Sequence, residues 1–529
     1  MDIIWLNPIF LSPNDDNGYD ISDYREIMRE FGTMEDFDRL LKEIHKREMR
    51  LVLDLVVNHT SDEHPWFEEA RKSRHNPYYN YYHWWPAEKG EPPLRLSYFD
   101  EEGNAWMYNK STDSYYLHYF SRKQPDLNWE NPEVRQEIFD MMRFWFDKGI
   151  DGFRMDSISL IAKDPSFPLI DSKKYPDIFS FYAKEPRLHL YLHEMNRQVL
   201  SIYDCMSVGE GSAVMVDDVA KFVDPAREEL NMLYHFDAAR IRNTPLPDNP
   251  ESGIDYSLIA LKKMFTEWDK AVDKGWPSIY LGNHDQPRMV SRFGSDKDEF
   301  RALSAKMLIT FLLTMRGTPY WFAGDEIGMR NIRFDRIEDY NDIDTINRYK
   351  KAKAEGKDPQ AVLDEQKETG RDNARTPFQW DRSPEAGFTA GTPWLKVNPD
   401  YTWINVADEE KDPTSILNYF KKVVSFRKEN PSLIYGSYHL LDAENPQCYI
   451  FLRKTGADTY LIMLNFSPKA AISTPGIDMS NAHVLLDNYG DRSHMAPQKD
   501  ITLRPFEAIV FQLNHPVYES FIDSLDLLE

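Results

Sequence analysis

The chain is predicted to fold as an α/β barrel of parallel strands and helices, with a small inserted domain and a C-terminal antiparallel β-sandwich. Three observations predict this. Short apolar runs alternate with amphipathic helical patterns over most of the 529 residues, the signature of parallel β/α units. A long aromatic-rich stretch without a clear period interrupts the alternation early. From about Pro431 the pattern changes to short alternating runs bounded by turn residues, as in a sandwich.

Residues 3–6, 51–57, 152–155, 206–208, 232–235, 278–281 and 318–321 read as strands. Between them, 34–46, 132–148, 188–203, 256–272 and 300–315 read as helices, and 413–429 as the last barrel helix. Seven strands are one short of a closed eight-stranded barrel. Residues 59–129 carry Tyr78, Tyr79, Tyr81, Tyr82, Trp84 and Trp85 and read as an insertion after the strand ending at Val57. Residues 331–375 are a second, charged and helix-prone excursion. Beyond Pro431, the runs 449–453, 459–465 and 508–513 read as sandwich strands. The expected domains are therefore a barrel over 1–58 and 130–430, an inserted domain over 59–129 and a sandwich over 431–529.

Composition narrows the function classes. With 87 acidic against 63 basic residues the net charge is −24, which disfavours nucleic acid and anionic membranes as partners. No apolar run approaches the ~18 residues of a membrane span. Met1-Asp2-Ile3-Ile4-Trp5-Leu6 is too short and too acidic for a signal peptide. Only Cys205 and Cys448 occur, so no disulfide framework is implied, and a cytoplasmic location is expected. His64, His75 and His83 lack a zinc-binding spacing.

Three carboxylates each follow a strand-like run: Asp156 in Gly152-Phe153-Arg154-Met155-Asp156, Glu210 in Met206-Ser207-Val208-Gly209-Glu210, and Asp285 in Leu281-Gly282-Asn283-His284-Asp285. Charges at the ends of buried strands are costly unless they converge on one polar site, and strand ends are where a barrel does its chemistry. Taken singly, each would be a helix cap or a surface charge. Arg154 lies two residues before Asp156, on the same side of the strand. It can hold that carboxylate ionised, as a nucleophile must be. Glu210 would need a raised pKa to serve as general acid, and Asp285 could fix sugar hydroxyls. Two facing carboxylates suffice to cleave a glycosidic bond. His59, Asp16, Tyr19 and Arg371 are further candidates in polar loops; alone, each reads equally as a cap, a turn or a salt bridge.

The chain resembles the α-glucosidase and oligo-1,6-glucosidase branch of the α-amylase superfamily, the family 13 glycoside hydrolases. Ser12-Pro13-Asn14-Asp15-Asp16-Asn17-Gly18-Tyr19-Asp20, Asp54-Leu55-Val56-Val57-Asn58-His59, Gln124-Pro125-Asp126-Leu127-Asn128-Trp129, Gly152 to Asp156, Val208-Gly209-Glu210, Asn283 to Arg288, and Arg371-Asp372-Asn373-Ala374-Arg375-Thr376-Pro377 carry the likeness. The resemblance implies Asp156 as nucleophile, Glu210 as acid/base and Asp285 as the transition-state-stabilising carboxylate. It implies that Arg154, His59 and His284 bind the sugar, that Tyr19 stacks on it, and that Asp16 and Arg371 cap a terminal glucose. Exo action with retention follows, the catalytic carboxyls standing roughly 5–5.5 Å apart. The expected partner is a small oligosaccharide or disaccharide, with no nucleic acid and no membrane, for a monomer or weak homo-oligomer.

Three departures from the family pattern shape the expectation. The chain opens at what resembles the family's second strand, so a barrel lacking its first β/α unit is expected. The family's calcium loop would lie upstream of Met1, so no metal and no cofactor is expected. Ser157 stands where members preferring α-1,6 links usually carry Val, and those preferring α-1,4 links Thr or Ala, which points to α-1,4 or mixed cleavage. Gly211-Ser212 follow Glu210 where relatives carry bulkier residues, which points to a wider leaving-group site. A sucrose isomerase or transglycosylase, or a homologue impaired by an incomplete barrel, are the alternatives. Arg292-Phe293-Gly294-Ser295-Asp296 has the hydrolase-like form rather than the isomerases' Arg-Leu-Asp-Arg-Asp.

Overall fold

A computed structural model describes residues 1–99, 103–175, 177–241, 247–456, 458–480, 482–492 and 499–513. The expected end of the sandwich, 514–529, lies outside the described residues. The chain forms two compact units. One comprises Met1–Phe236, Ala271–Trp276 and Ile346–Lys357, the other Asp237–Lys270, Pro277–Thr345 and Asp358–Glu529.

The first unit is built on a five-stranded parallel sheet of Ile3–Leu6, Arg50–Val56, Gly152–Asp156, Met206–Glu210 and Met232–Tyr234, in chain order. Every strand thus pairs with its neighbour in sequence, as β/α units demand. The helices Met34–Lys46, Pro132–Lys148 and Arg187–Gln198 make the crossovers. Their ends are written in the sequence. Thr33 caps the first through a reciprocal capping box with Asp36. Asn131 caps the second, Pro132 opens it, and Gly149 closes it at φ 107, a left-handed stop that favours glycine.

Between the second and third strands lies an antiparallel sheet of Trp84–Pro86, Ser114–Leu117 and Trp106–Asn109, with Ser114–Leu117 in the middle. Trp106, Leu117 and Tyr119 pack with Leu160, Phe167 and Tyr182. A sheet this small cannot bury its apolar face alone, and here the segment following Asp156 covers it.

The second unit holds a two-stranded parallel sheet, Ser278–Ile279 with Thr318–Pro319. The helices Leu258–Ala271, Arg301–Thr314 and Ile416–Glu429 correspond to three expected ones. The charged excursion forms the helices Ile343–Ala354, most of which belongs to the first unit, and Pro359–Thr369, which belongs to the second. Arg301–Thr314 is buried on nearly every side, as its lack of a polar face requires.

The C-terminal part is antiparallel. Ser437–Leu441, Cys448–Thr455, Asp458–Asn465, Ala508–Leu513 and His483–Asp487 form one sheet in that order, and Ala471–Ser473 pairs with Ile501–Leu503 in another. Ile450, Leu452, Leu461 and Met463 from the first share one core with Ala471, Ile501 and Leu503 from the second. Among the described residues no helix is long and apolar enough to cross a membrane.

Candidate active site

The first unit gathers its polar side chains at the C-terminal ends of the parallel strands. Register explains the gathering: Asp54 lies opposite Arg154, Val56 opposite Asp156, and Tyr234 opposite Glu210. Arg154 is buried and is the hub. Its Nη1 donates to Asp54 Oδ1 at 2.7 Å and to Asp156 Oδ1 at 2.8 Å. Its Nη2 donates to Glu210 Oε2 at 2.6 Å and its Nε to the Tyr234 hydroxyl at 3.0 Å. The guanidinium also lies over the rings of Trp5, Tyr19 and Tyr234. Burial works against its charge, but Asp54, Tyr234 and Glu210 overcome this and hold Arg154 well above its ordinary range. One fork-shaped cation thereby fixes two carboxylates expected to do chemistry and a third that was not.

That third is Asp54, which the sequence reading left out of the site. It also accepts from the Tyr19 hydroxyl at 3.0 Å and from Trp5 Nε1 at 3.2 Å. Burial pushes its pKa up to about 6 against the pull of Arg154. A single acid inside the apolar run Leu51-Val52-Leu53-Asp54-Leu55-Val56 was the available signal. Tyr234 was missed too, although it ends its strand as Glu210 does.

Glu210 has further partners. Its Oε2 accepts the Ser157 backbone N–H at 2.9 Å, and its Oε1 the Ser212 hydroxyl at 3.3 Å. Ser157 adopts φ 41, ψ 32, a left-handed conformation unusual for a side-chain-bearing residue. This turn aims its N–H back across the sheet. Gly211 corrects an expectation. A Cβ there would meet Leu233 Cδ2 at 2.6 Å and the Tyr234 carbonyl at 2.8 Å, so its missing side chain makes room for the neighbouring strand and opens no space.

The loop after the first strand presents Asp16 and Tyr19. Asp20 organises it, accepting from the Ser12 hydroxyl and from the N–H groups of Asp15 and Asp16. Asn14, Asn17 and Gly18 take positive φ, which suits these residue types. Gln124 Nε2 donates to Asp16 Oδ2 at 3.1 Å. His59 is buried and donates from Nε2 to the Tyr19 carbonyl at 3.0 Å. Burial pushes its pKa down to about 3, so it is a neutral imidazole.

The second unit has its own constellation. Asp285 Oδ1 accepts from Arg375 Nη2 at 2.9 Å and Arg371 Nη1 at 3.2 Å, and its Oδ2 lies 3.0 Å from His284 Nε2. Burial alone would raise the Asp285 pKa; His284, Arg371 and Arg375 together hold it well below the usual carboxylate range. Arg371 donates to the buried Asp342 through Nε at 2.7 Å. Asp342 in turn accepts from the Thr345 N–H and hydroxyl. Arg375 lay within the quoted Arg371 to Pro377 motif; nothing in the sequence singled out Asp342. Among the described residues no group of three or more His, Cys, Asp or Glu side chains could hold a metal ion.

Comparison with known proteins agrees with this architecture. The alpha-amylase catalytic-domain family matches residues 1–436. The chain is 50% identical over 527 residues to an oligo-1,6-glucosidase of Parageobacillus thermoglucosidasius, covering 98% of this chain and 92% of the relative. It is 41% identical over 525 residues to a trehalose-6-phosphate hydrolase of Bacillus subtilis strain 168, covering 98% and 91%. The solved structure of an isomaltulose synthase from Protaminobacter rubrum superposes with a TM-score of 0.91 at 41% identity, covering 97% of this chain and 92% of that one. With its parallel β/α units, its C-terminal antiparallel sheet and these relatives over nearly its whole length, the chain belongs to the alpha-amylase family and its TIM-barrel fold.

Proposed function

We propose that this chain is an exo-acting, retaining α-glucosidase that releases terminal α-linked glucose from short oligosaccharides or disaccharides, across α-1,6 and/or α-1,4 links. The observation that carries the reading is the hold of Arg154 on Asp156 and Glu210 through its two Nη atoms. One cation keeps one carboxylate ready to attack and orients the other.

Asp156 attacks the anomeric carbon as the bond to the leaving oxygen breaks. The proton goes from Glu210 to that oxygen. The Arg154 and Ser157 N–H groups donate to Oε2, and the Ser212 hydroxyl donates to Oε1. Water then attacks the glycosyl ester while Glu210 takes its proton back, and two inversions return the original anomer. By likeness to the family, Asp285, which Arg371, Arg375 and the His284 contact hold ionised, is the carboxylate that answers positive charge building on the sugar. By the same likeness, Asp16, Tyr19, Arg154 and His59 of the first unit bind the sugar, and Arg371 and His284 of the second unit carry the sugar-binding roles assigned to their motifs. The substrate is a small neutral sugar, bound without a cofactor.

The relatives named oligo-1,6-glucosidase support hydrolysis; the solved isomaltulose and trehalulose synthases favour isomerisation of sucrose as the second reading. Product analysis separates them. Hydrolysis yields glucose and fructose from sucrose and glucose from isomaltose or maltose, whereas isomaltulose or trehalulose as main products would overturn the assignment. Asp156→Asn and Glu210→Gln should each lower kcat by at least about 1,000-fold, the scale of losing a nucleophile or acid. On an aryl α-glucoside with a good leaving group, azide should give the α-glucosyl azide with Glu210→Ala and the β-glucosyl azide with Asp156→Ala.

A further inference from the structure

Behind His59 runs a buried chain of polar groups that ends at Lys163. Lys163 and Asp126 are both almost fully buried, with Nζ 3.1 Å from Asp126 Oδ2. The same ammonium donates to Asn58 Oδ1 at 2.6 Å. An ammonium only donates, so this contact fixes which end of the Asn58 amide faces Lys163. The other end, Nδ2, lies 3.2 Å from His59 Nδ1 and can only donate to it. Nδ1 must then be the bare nitrogen, which leaves the imidazole hydrogen on Nε2. There it donates to the Tyr19 carbonyl, which can only accept. Gln124 Nε2 also lies 3.2 Å from His59 Nε2, but its two hydrogens have acceptors in Asp16 Oδ2 at 3.1 Å and the Tyr19 carbonyl at 3.4 Å.

We propose that Lys163 is a positioning residue. Through Asn58 it imposes the Nε2–H tautomer on His59, and so decides that a sugar hydroxyl at Nε2 meets an N–H shared with the Tyr19 carbonyl and not a bare acceptor. The functional half of this statement rests on the reading of His59 as a substrate-binding residue; the tautomer half does not. A buried donor-to-acceptor relay anchored on a charged group is rigid, because reversing any member leaves two donors or two acceptors facing each other.

The test uses full-length protein labelled with nitrogen-15 at histidine, with the His59 signals assigned by their loss in His59→Gln. The wild type is expected to show a bare Nδ1 and a protonated Nε2. Asn58→Asp keeps shape and a partner for Lys163 but replaces the amide donor by an acceptor, so it should switch His59 to the Nδ1–H form. Lys163→Met combined with Asp126→Asn removes the ion pair without leaving a lone buried charge, and should populate both tautomers. In that double variant KM should rise about fivefold with kcat within about twofold, the size of one misdirected hydrogen bond. A pure Nε2–H pattern in either variant overturns the proposal. An unchanged KM in His59→Gln overturns the substrate-binding role while leaving the tautomer result standing.

Discussion

Ser157 donates its backbone N–H to Glu210 Oε2 at 2.9 Å, from a left-handed turn that begins immediately after Asp156. The two residues expected to share the catalysis are thus linked through backbone as well as through Arg154. The turn has a conformational cost for any residue other than glycine, Asn or Asp.

Substitution at Ser157 should separate stability from specificity. Ser157→Gly relaxes φ 41 and should leave stability unchanged or raise it by up to about 1 kcal/mol. Ser157→Val places a β-branched side chain there and should cost about 1–2 kcal/mol, read as a lowered urea midpoint. The wild type should cleave maltose at a rate comparable with or above isomaltose, and Ser157→Val should move the ratio towards isomaltose. A wild type far faster on isomaltose would sink the specificity argument.

Asp54 touches no expected reacting atom, yet Asp54→Asn should be felt in turnover. The substitution keeps volume and removes the charge opposing Arg154 Nη1. A charge-assisted hydrogen bond is worth about 1.5–3 kcal/mol, so kcat/KM should fall roughly 10- to 150-fold with the fold intact. Wild-type kcat/KM in a folded variant would show that Asp156 and Glu210 suffice to hold the guanidinium.

Gly211→Ala should destabilise the chain by about 1–3 kcal/mol, because the new methyl meets a backbone carbonyl and a packed leucine and cannot rotate away. Thermal unfolding measures this. A neutral result would mean the sheet edge at Leu233 yields easily.

His64 offers a clean test of proton linkage. It is buried, caps the helix Pro65–Ala70 by accepting the Trp66 N–H, and burial pushes its pKa down to about 3. Below pH 6.5 the unfolded chain binds a proton at this position that the folded chain refuses, so stability is lost on acidification from 6.5 towards 3. His64→Asn keeps a capping acceptor and removes the titration. The stability of the wild type relative to the variant should fall by about 1.4 kcal/mol per pH unit across that window. Parallel pH curves would contradict the assignment.

Much of the fold was legible because it rests on local physics. Alternation of apolar runs and helical periods placed the parallel strands to within a few residues. The strand-end acids Asp156 and Glu210 stood out because charge is rare after a buried run. Asp54 and Tyr234 were harder. Each gains meaning only from the residue beside it on the next strand, and register is a property of the paired sheet. Gly211 misled because an absent side chain looks like space until the neighbouring strand is seen to fill it.

The amino-acid order alone therefore determined the alternating architecture, the antiparallel C-terminal part and the acids at the strand ends, since periodicity, capping and burial cost act within a few residues. Tertiary structure decided the partnerships: that Arg154 grips three carboxylates, that Asp285 is ionised between His284, Arg371 and Arg375, and that Lys163 reaches His59 through Asn58. Those depend on groups up to 105 residues apart in the chain being held within about 3 Å of one another, and only the packed tertiary structure supplies that distance.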